Sequence, residues 1–234
     1  MPNKLVGRNQ GSEESEWLSV SDLMAGLMMV FLCISIVMMR SMMEEREKIR
    51  ALAQSYRDNQ LAIYQSLVME FGEDLQHWGA TIDKDRLIIA FNNADAMFPT
   101  GEAEMNQEAQ WVMEDFFPRY IHVLKPYLGS IRAIHIEGHT SSEWGSGGSS
   151  RDNYFKNLRL SQSRSREVLH HVQGLVPEAE VPGMLALVAA VGYSSARPVL
   201  RKDGTEDPEK SKRVAFRVIT NSEAQIHRIL EEAL

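Results

Sequence analysis

Residues 17–39 read WLSVSDLMAGLMMVFLCISIVMM, 23 positions with a single charge, Asp22. No other feature limits the chain's structure so strongly. At 1.5 Å per residue a helix of this length extends about 34 Å, enough to cross a hydrocarbon core of about 30 Å. The next apolar stretch, residues 183–192, is ten residues long and suits a buried strand with its approach. The expectation is therefore one membrane-spanning helix, with nearly all of the 234 residues on its C-terminal side. A cleaved signal peptide fits poorly. Glu13, Glu14 and Glu16 stand where a signal needs positive charge, and Arg40 follows the span in place of a small-residue cleavage site.

Asp22 is the sharpest single residue. It sits five residues into the span, roughly 7–8 Å along the axis. A carboxylate at the centre of a membrane helix costs about 2.5–3.5 kcal/mol on insertion scales, and intramembrane ionisable groups rarely face lipid. One reading makes Asp22 part of an ion pathway or a contact with a partner helix. The other makes it an interfacial residue that reaches water or caps the helix. Ser19, Ser21 and Ser35 can hydrogen-bond within the helix or to a neighbour, and Ala25 and Gly26 permit close helix approach. The methionines of the span are adaptable packing or lipid contact. A Lys/Arg count alone favours a cytoplasmic C-terminal side: Lys4 and Arg8 precede the span, while Arg40, Arg46, Lys48 and Arg50 follow it.

Composition excludes several classes. The formal net charge of -7 argues against nucleic-acid binding through bulk charge. A single cysteine, Cys33, forbids an intrachain disulfide and an all-cysteine zinc site. No G-x-S-x-G is present, and G145-S-G-G148 lacks the Lys of a phosphate loop. His135-Ile-Glu-Gly-His139 matches no zinc-hydrolase spacing. The chain is expected not to be an enzyme and to hold no metal or cofactor.

Beyond the span, Ile49, Leu52, Tyr56, Ile63, Leu67, Phe71, Leu75 and Trp78 recur mostly at three- and four-residue steps. This predicts an amphipathic helix over 40–80, a stalk or linker. Strands are expected at 85–91, 131–137, 185–191 and 213–220. Helices are expected at 102–127, with Pro118 a point of interruption, at 158–173, and from Ser222 to the region of Ala233. A Gly/Ser-rich loop separates 138 from 150. The order β-α-β-α-β-β with a terminal helix predicts a two-layer α/β sandwich. One pair of features flanks the second helix: the strand end His139-Thr140, and Arg164 and Arg166, residue types that match carboxylates in a two-pronged geometry.

The segments I134-H-I-E-G-H-T140 and N157-L-R-L-S-Q-S-R164, with Gly192-Tyr193 and Lys212-Arg213-Val214, resemble the OmpA-like peptidoglycan-binding domain over roughly 81–220. The segment S21-D-L-M-A-G-L-M-M-V-F31 resembles the membrane helix of MotB-type stator subunits. The combination looks most like the B subunits of Zorya anti-phage defence systems, with flagellar stator B subunits the nearest rival.

The resemblance implies a fold class of one N-terminal transmembrane helix (17–39) after a cytoplasmic tail (1–16), a helical stalk (40–80), and an OmpA-like domain (81–234). It implies two such chains inside a ring of five multi-span MotA-like subunits in the bacterial inner membrane. The C-terminal domain would lie in the periplasm, against the Lys/Arg count, because cell wall exists on only one side. Asp22 would carry H+ or Na+, with Ser19 and Ser21 supporting the path. Thr140, Ser141, Asn157, Leu160 and Arg164 would bind peptidoglycan, with Arg164 near the start of its helix holding a ligand carboxylate. In the family an aspartate commonly follows the threonine and binds the diamino acid of the wall peptide. Here that position is Ser141, leaving Glu143 or Asp152 as the acidic partner, or none. The competing reading is a passive membrane-to-wall anchor.

Overall fold

The computed structural model describes residues 10–92, 94–144 and 149–221. The expected terminal helix from Ser222 lies outside the described residues, as does most of the tail over 1–16. Two compact units divide at residues 55 and 56.

The first unit is carried by helix α1 (Gln10–Phe71). Every side chain from Ser19 to Arg50 is exposed, including large apolar ones: Leu23 is 75% and Phe31 72% exposed. A helix apolar on all sides has no face to turn to water and needs lipid or other helices around it. Among the described residues, α1 is the one helix long and apolar enough to cross a membrane. Ser35 donates to the carbonyl of Phe31 at 2.8 Å, satisfying its hydroxyl within the helix.

The second unit begins with the last turns of α1. A one-turn helix α2 (Asp74–His77) leads to β1 (Ala80–Asp83) and β2 (Ile88–Asn92). Then come α3 (Ala94–Met97), α4 (Gln107–Leu124), a 3₁₀ segment (Lys125–Ser130) and β3 (Ile131–His139). Helix α5 (Ser150–Gln173), α6 (Val181–Leu187), β4 (Val188–Gly192), α7 (Pro208–Ser211) and β5 (Arg213–Thr220) complete it. The sheet order is β1-β2-β5-β3-β4; β3 and β4 are parallel and the other pairs antiparallel. Helices and sheet form the expected two-layer α/β sandwich.

Alternation along the strands decides the layers. Ile134 and Ile136 of β3 and Val214, Phe216 and Val218 of β5 face the helices and are buried with Val168 and Val172 of α5. Phe116 of α4 sits at the centre, its ring 4.9 Å from Phe216 and 5.1 Å from both Phe71 and Phe91. Ile63, Leu67 and Phe71 of α1 have no exposed surface, so these turns belong to the core of this unit. Arg119 fastens the same corner, reaching Glu70 at 2.7 Å, Asp74 at 2.8 Å and Asp115 at 3.0 Å.

Several sequence expectations shift. The segment 85–91 is not one strand. It is the end of a β1–β2 hairpin, where the Asp83 carboxylate accepts from the amides of Asp85 and Arg86 and Leu87 takes φ +51°. The strand β1 itself was not expected, being four residues at a sheet edge. Helix α4 starts at Gln107, not 102, because Asn106 caps it by accepting from Ala109 N at 2.9 Å. Pro118 does not interrupt it: the residue lies on the exposed face, where the carbonyl it leaves unbonded meets water. The strand expected at 185–191 begins at Val188, after the short helix α6.

The largest shift concerns α5, which starts at Ser150 rather than 158. Ser149 caps it, accepting from Asp152 N, and its hydroxyl donates to the Asp152 carboxylate at 2.8 Å. Arg164 is therefore deep within the helix, not near its start.

Candidate ligand-binding site

Two glycines determine how the site is built. A Cβ at Gly138 would lie 2.2 Å from the Ser161 carbonyl oxygen, and one at Gly192 would lie 2.5 Å from the Gln162 amide nitrogen. Bare backbone on β3 and β4 thus lets α5 press directly onto the sheet. Ser161 completes the joint, donating to the Leu158 carbonyl at 2.9 Å and accepting from the Ser194 amide at 3.0 Å. The Gly and Ser positions of the sequence motifs are packing positions.

That close approach brings the end of β3 beside one face of α5. Thr140 and Ser141 follow the strand, and both are buried. Thr140 N donates to the Ser194 carbonyl at 3.0 Å, while its buried hydroxyl makes no hydrogen bond among the described residues. Asn157, Leu160 and Arg164 recur at three- and four-residue spacing, hence on one helix face. Buried Asn157 donates to the Ser141 carbonyl at 3.1 Å and the Glu143 carbonyl at 3.4 Å, fixing the loop after β3. These five residues line one cavity of about 380 Å³. Arg166, two positions on, is exposed and is not among its lining residues.

Arg164, expected near the start of its helix, is packed into the protein. It is 3% exposed. Its Nε donates to the Glu102 carbonyl at 2.9 Å and one Nη to the Pro99 carbonyl at 3.5 Å. The guanidinium lies 4.9 Å from the Phe98 ring centre. It therefore holds the 98–102 turn, while its other Nη makes no bond among the described residues. Burial pulls its pKa below the usual guanidinium range, and the Asp95 charge opposes the shift.

Four more polar residues complete the cavity, three of them unforeseen as site residues. Asp95 of α3 and Lys212, just before β5, pair at 2.6 Å on its rim. The Asp95 carboxylate holds the Lys212 ammonium above its ordinary range. Glu143 lines the cavity too, with Thr100. Asp152 does not, since it belongs to the α5 cap. The lining thus carries two carboxylates and two cations, a balance suited to a zwitterion with both an amine and a carboxylate. Asp95 had one sequence signal, its place just before the Phe98-Pro99-Thr100-Gly101 turn, but nothing local tied that turn to α5.

In the first unit, Asp22 is exposed on α1. Ser19 lies one turn away on the same face, and Ser21 about 100° round the helix.

No family model matches the chain. It is 44% identical over 234 residues to the Zorya protein ZorB of Escherichia coli, the match covering 98% of this chain and 100% of that one. Among solved structures it is similar to the periplasmic domain of Helicobacter pylori MotB, at 18% identity, 63% coverage of this chain and 85% of that one, with a TM-score of 0.42. It is also similar to the cell wall anchor of the T6SS from Pseudomonas aeruginosa, at 19% identity, 66% and 96% coverage, and a TM-score of 0.45. At the identity and coverage of the first match, the chain belongs to the ZorB family of Zorya proteins.

Proposed function

We propose that this chain is the peptidoglycan-anchored B subunit of an ion-driven inner-membrane motor acting in anti-phage defence. The carrying observation is a conjunction within one chain. A lone carboxylate sits on an outward-facing apolar helix, and a separate unit presents a charge-balanced cavity of the right character for a wall peptide. A passive tether has no reason to bear the insertion cost of Asp22.

The organisation that follows has a cytoplasmic tail over 1–16, a membrane helix over 17–39 and a helical connection from 40. The wall-binding domain, over 81–234 with the last turns of α1 packed into it, lies in the periplasm. One helix with one carboxylate cannot enclose a pathway, so Asp22 needs surrounding helices of a multi-span MotA-like partner. Two copies of this chain inside five such subunits give each carboxylate a protein environment. Asp22 takes up H+ or Na+ from the periplasmic side and releases it inward, with Ser19 and Ser21 offering hydroxyls along the path. The cavity, through Thr140, Ser141, Asn157, Leu160 and Arg164, holds the chain against the wall so that torque on the partner ring has a fixed point.

In the cavity, Arg164 and Lys212 would receive a peptide carboxylate, while Asp95 and Glu143 would receive the amine that the family aspartate binds elsewhere. Reconstitution of the complex with its multi-span partner tests the reading. Proteoliposomes are expected to take up H+ or Na+ down a gradient, and the same complex is expected to pellet with purified sacculi. No uptake of either ion would overturn the motor, and no pelleting would overturn the anchor.

A further inference from the structure

The face of the sheet turned away from the helices carries a second cavity, of about 620 Å³. Four arginines line it: Arg86 from the β1–β2 turn, Arg197 from the loop after β4, and Arg213 and Arg217 from β5. The register explains the convergence. His139 pairs with Arg213, Glu137 with Ala215 and His135 with Arg217, so all of these side chains point to the same face. Ile88 of β2 sits opposite Arg217 and extends the floor.

The charges here are not matched. The carboxylate among these residues is Glu137, 1% exposed, with Arg217 at 3.7 Å and Arg197 at 3.8 Å. Both distances are too long for hydrogen bonds. The Nε of Arg217 and Oε1 of Glu137 are buried and make no hydrogen bond among the described residues. Arg213 is spent on the carbonyls of Ser211 and Arg197, and Arg197 is stacked on Tyr193 at 3.9 Å. Arg86 is exposed and makes no ion pair among the described residues. Arg119 shows the contrast, with one guanidinium for three carboxylates.

The imidazoles add no charge. His139 stacks on Tyr193 and bonds to Glu137 at 3.1 Å, and burial holds it below its ordinary range despite that partner. Burial likewise lowers His135. Arg213 is depressed first by burial, with Arg86 and Arg197 adding to the shift against Glu137. Four guanidiniums with one ionised carboxylate leave the cavity strongly positive.

We propose that this cavity is an oxyanion site for a dianionic phosphate group, a terminal phosphate monoester or a pyrophosphate. Like charges brought together in a partly enclosed space repel unless an anion joins them. A planar carboxylate is satisfied by one guanidinium fork. Guanidiniums arriving from a turn, a loop and a strand instead surround a tetrahedral group with oxygens in several directions. The site is independent of the wall cavity: Thr140 faces one and His139, its neighbour in sequence, the other.

The test uses the full chain purified in neutral detergent, titrated calorimetrically with sodium pyrophosphate and, separately, inorganic phosphate at matched chloride ionic strength. Saturable binding, one pyrophosphate per chain, is expected. Arg86→Gln, an exposed position whose change leaves the core untouched, should weaken it about tenfold or more, as should Arg217→Gln. Arg119→Gln should bind as the wild type does. Circular dichroism verifies that each variant is folded. Absence of saturable binding to the wild type, equal binding by a folded Arg86→Gln/Arg217→Gln double variant, or binding only to phosphatidylglycerol vesicles would overturn the proposal.

Discussion

Helix α1 contains two regions that share a backbone and almost nothing else. Around residues 19–39 it leaves Leu23, Phe31 and a run of methionines exposed, and the one carboxylate of that span, Asp22, lies among them. From Tyr56 onward it buries Ile63, Leu67 and Phe71 completely. The difference teaches that burial is defined by the solvent. Apolar exposure in the first region is complementarity to lipid or partner helices; in the second it would be a folding defect. Loss of a side chain should therefore damage function in the first region and stability in the second.

The largest expected effect is at Asp22. Asp22→Asn keeps the size and some hydrogen bonding but cannot titrate. Ion uptake by proteoliposomes and defence against phage infection should be abolished, while sacculi pelleting and thermal unfolding of the chain stay as in the wild type. Undiminished uptake would remove Asp22 from the pathway.

Next comes Phe71→Ala, which empties a space between Phe116 and Trp78. A loss of about 3–5 kcal/mol is expected, read as a lowered melting transition. Phe31→Ala, in the same helix, should leave that transition in place. If both variants shift it alike, the division between the two regions fails.

Arg164→Ala should cost both stability and binding, because the guanidinium bonds to the 99–102 carbonyls as well as lining the cavity. About 1.5–3 kcal/mol is expected from the lost charged hydrogen bonds. Sacculi pelleting should fall in parallel, and Arg164→Lys should restore little of either, since an ammonium cannot serve both carbonyls and a ligand. Full pelleting by a folded Arg164→Ala would place the wall contact elsewhere.

The smallest effect is expected from acid. His139 and His135 have folded pKa values below the unfolded value of about 6.5. The unfolded chain therefore binds protons first as pH falls, so stability is fully present above about 6.5 and declines below it. Glu137 acts in the same direction at lower pH. Burial pushes its pKa up, but His139, Arg217 and Arg197 outweigh that and hold it down. The groups facing His139 are Glu137, Arg197, Arg213 and the Tyr193 ring. Melting temperature should fall by a few degrees between pH 7.5 and 5.5, since about 1 kcal/mol moves it roughly 2–4 °C at this size. His139→Gln should flatten that slope, and an unaltered slope would assign it to other groups.

Much of this was legible along the chain because it depends on neighbours in sequence. The membrane span follows from 23 consecutive side chains, and β5 at 213–220 from simple alternation with apolar residues inward. Residue chemistry along the chain singled out Thr140 and Arg164, whereas Ser141, Asn157 and Leu160 came only from the resemblance of segments 134–140 and 157–164 to the OmpA-like domain. Helix starts were less legible: the Ser149 cap of α5 is a weak local signal inside a Gly/Ser run, and missing it put Arg164 at the wrong depth.

Other features depend on which strands lie side by side. The order β1-β2-β5-β3-β4 carries Asp95 and Lys212 to the cavity under Arg164, and gathers Arg86, Arg197, Arg213 and Arg217 on the far face. Arg86 and Arg217 are 131 positions apart and Asp95 and Lys212 are 117 apart, so no periodicity could join them. The sequence by itself determined the membrane helix, its single acid and the two-layer class, because hydropathy and spacing act over a few turns. Only the tertiary structure decided which charges meet, because pairing is set by sheet order and by the pleat that sends alternate residues to opposite faces.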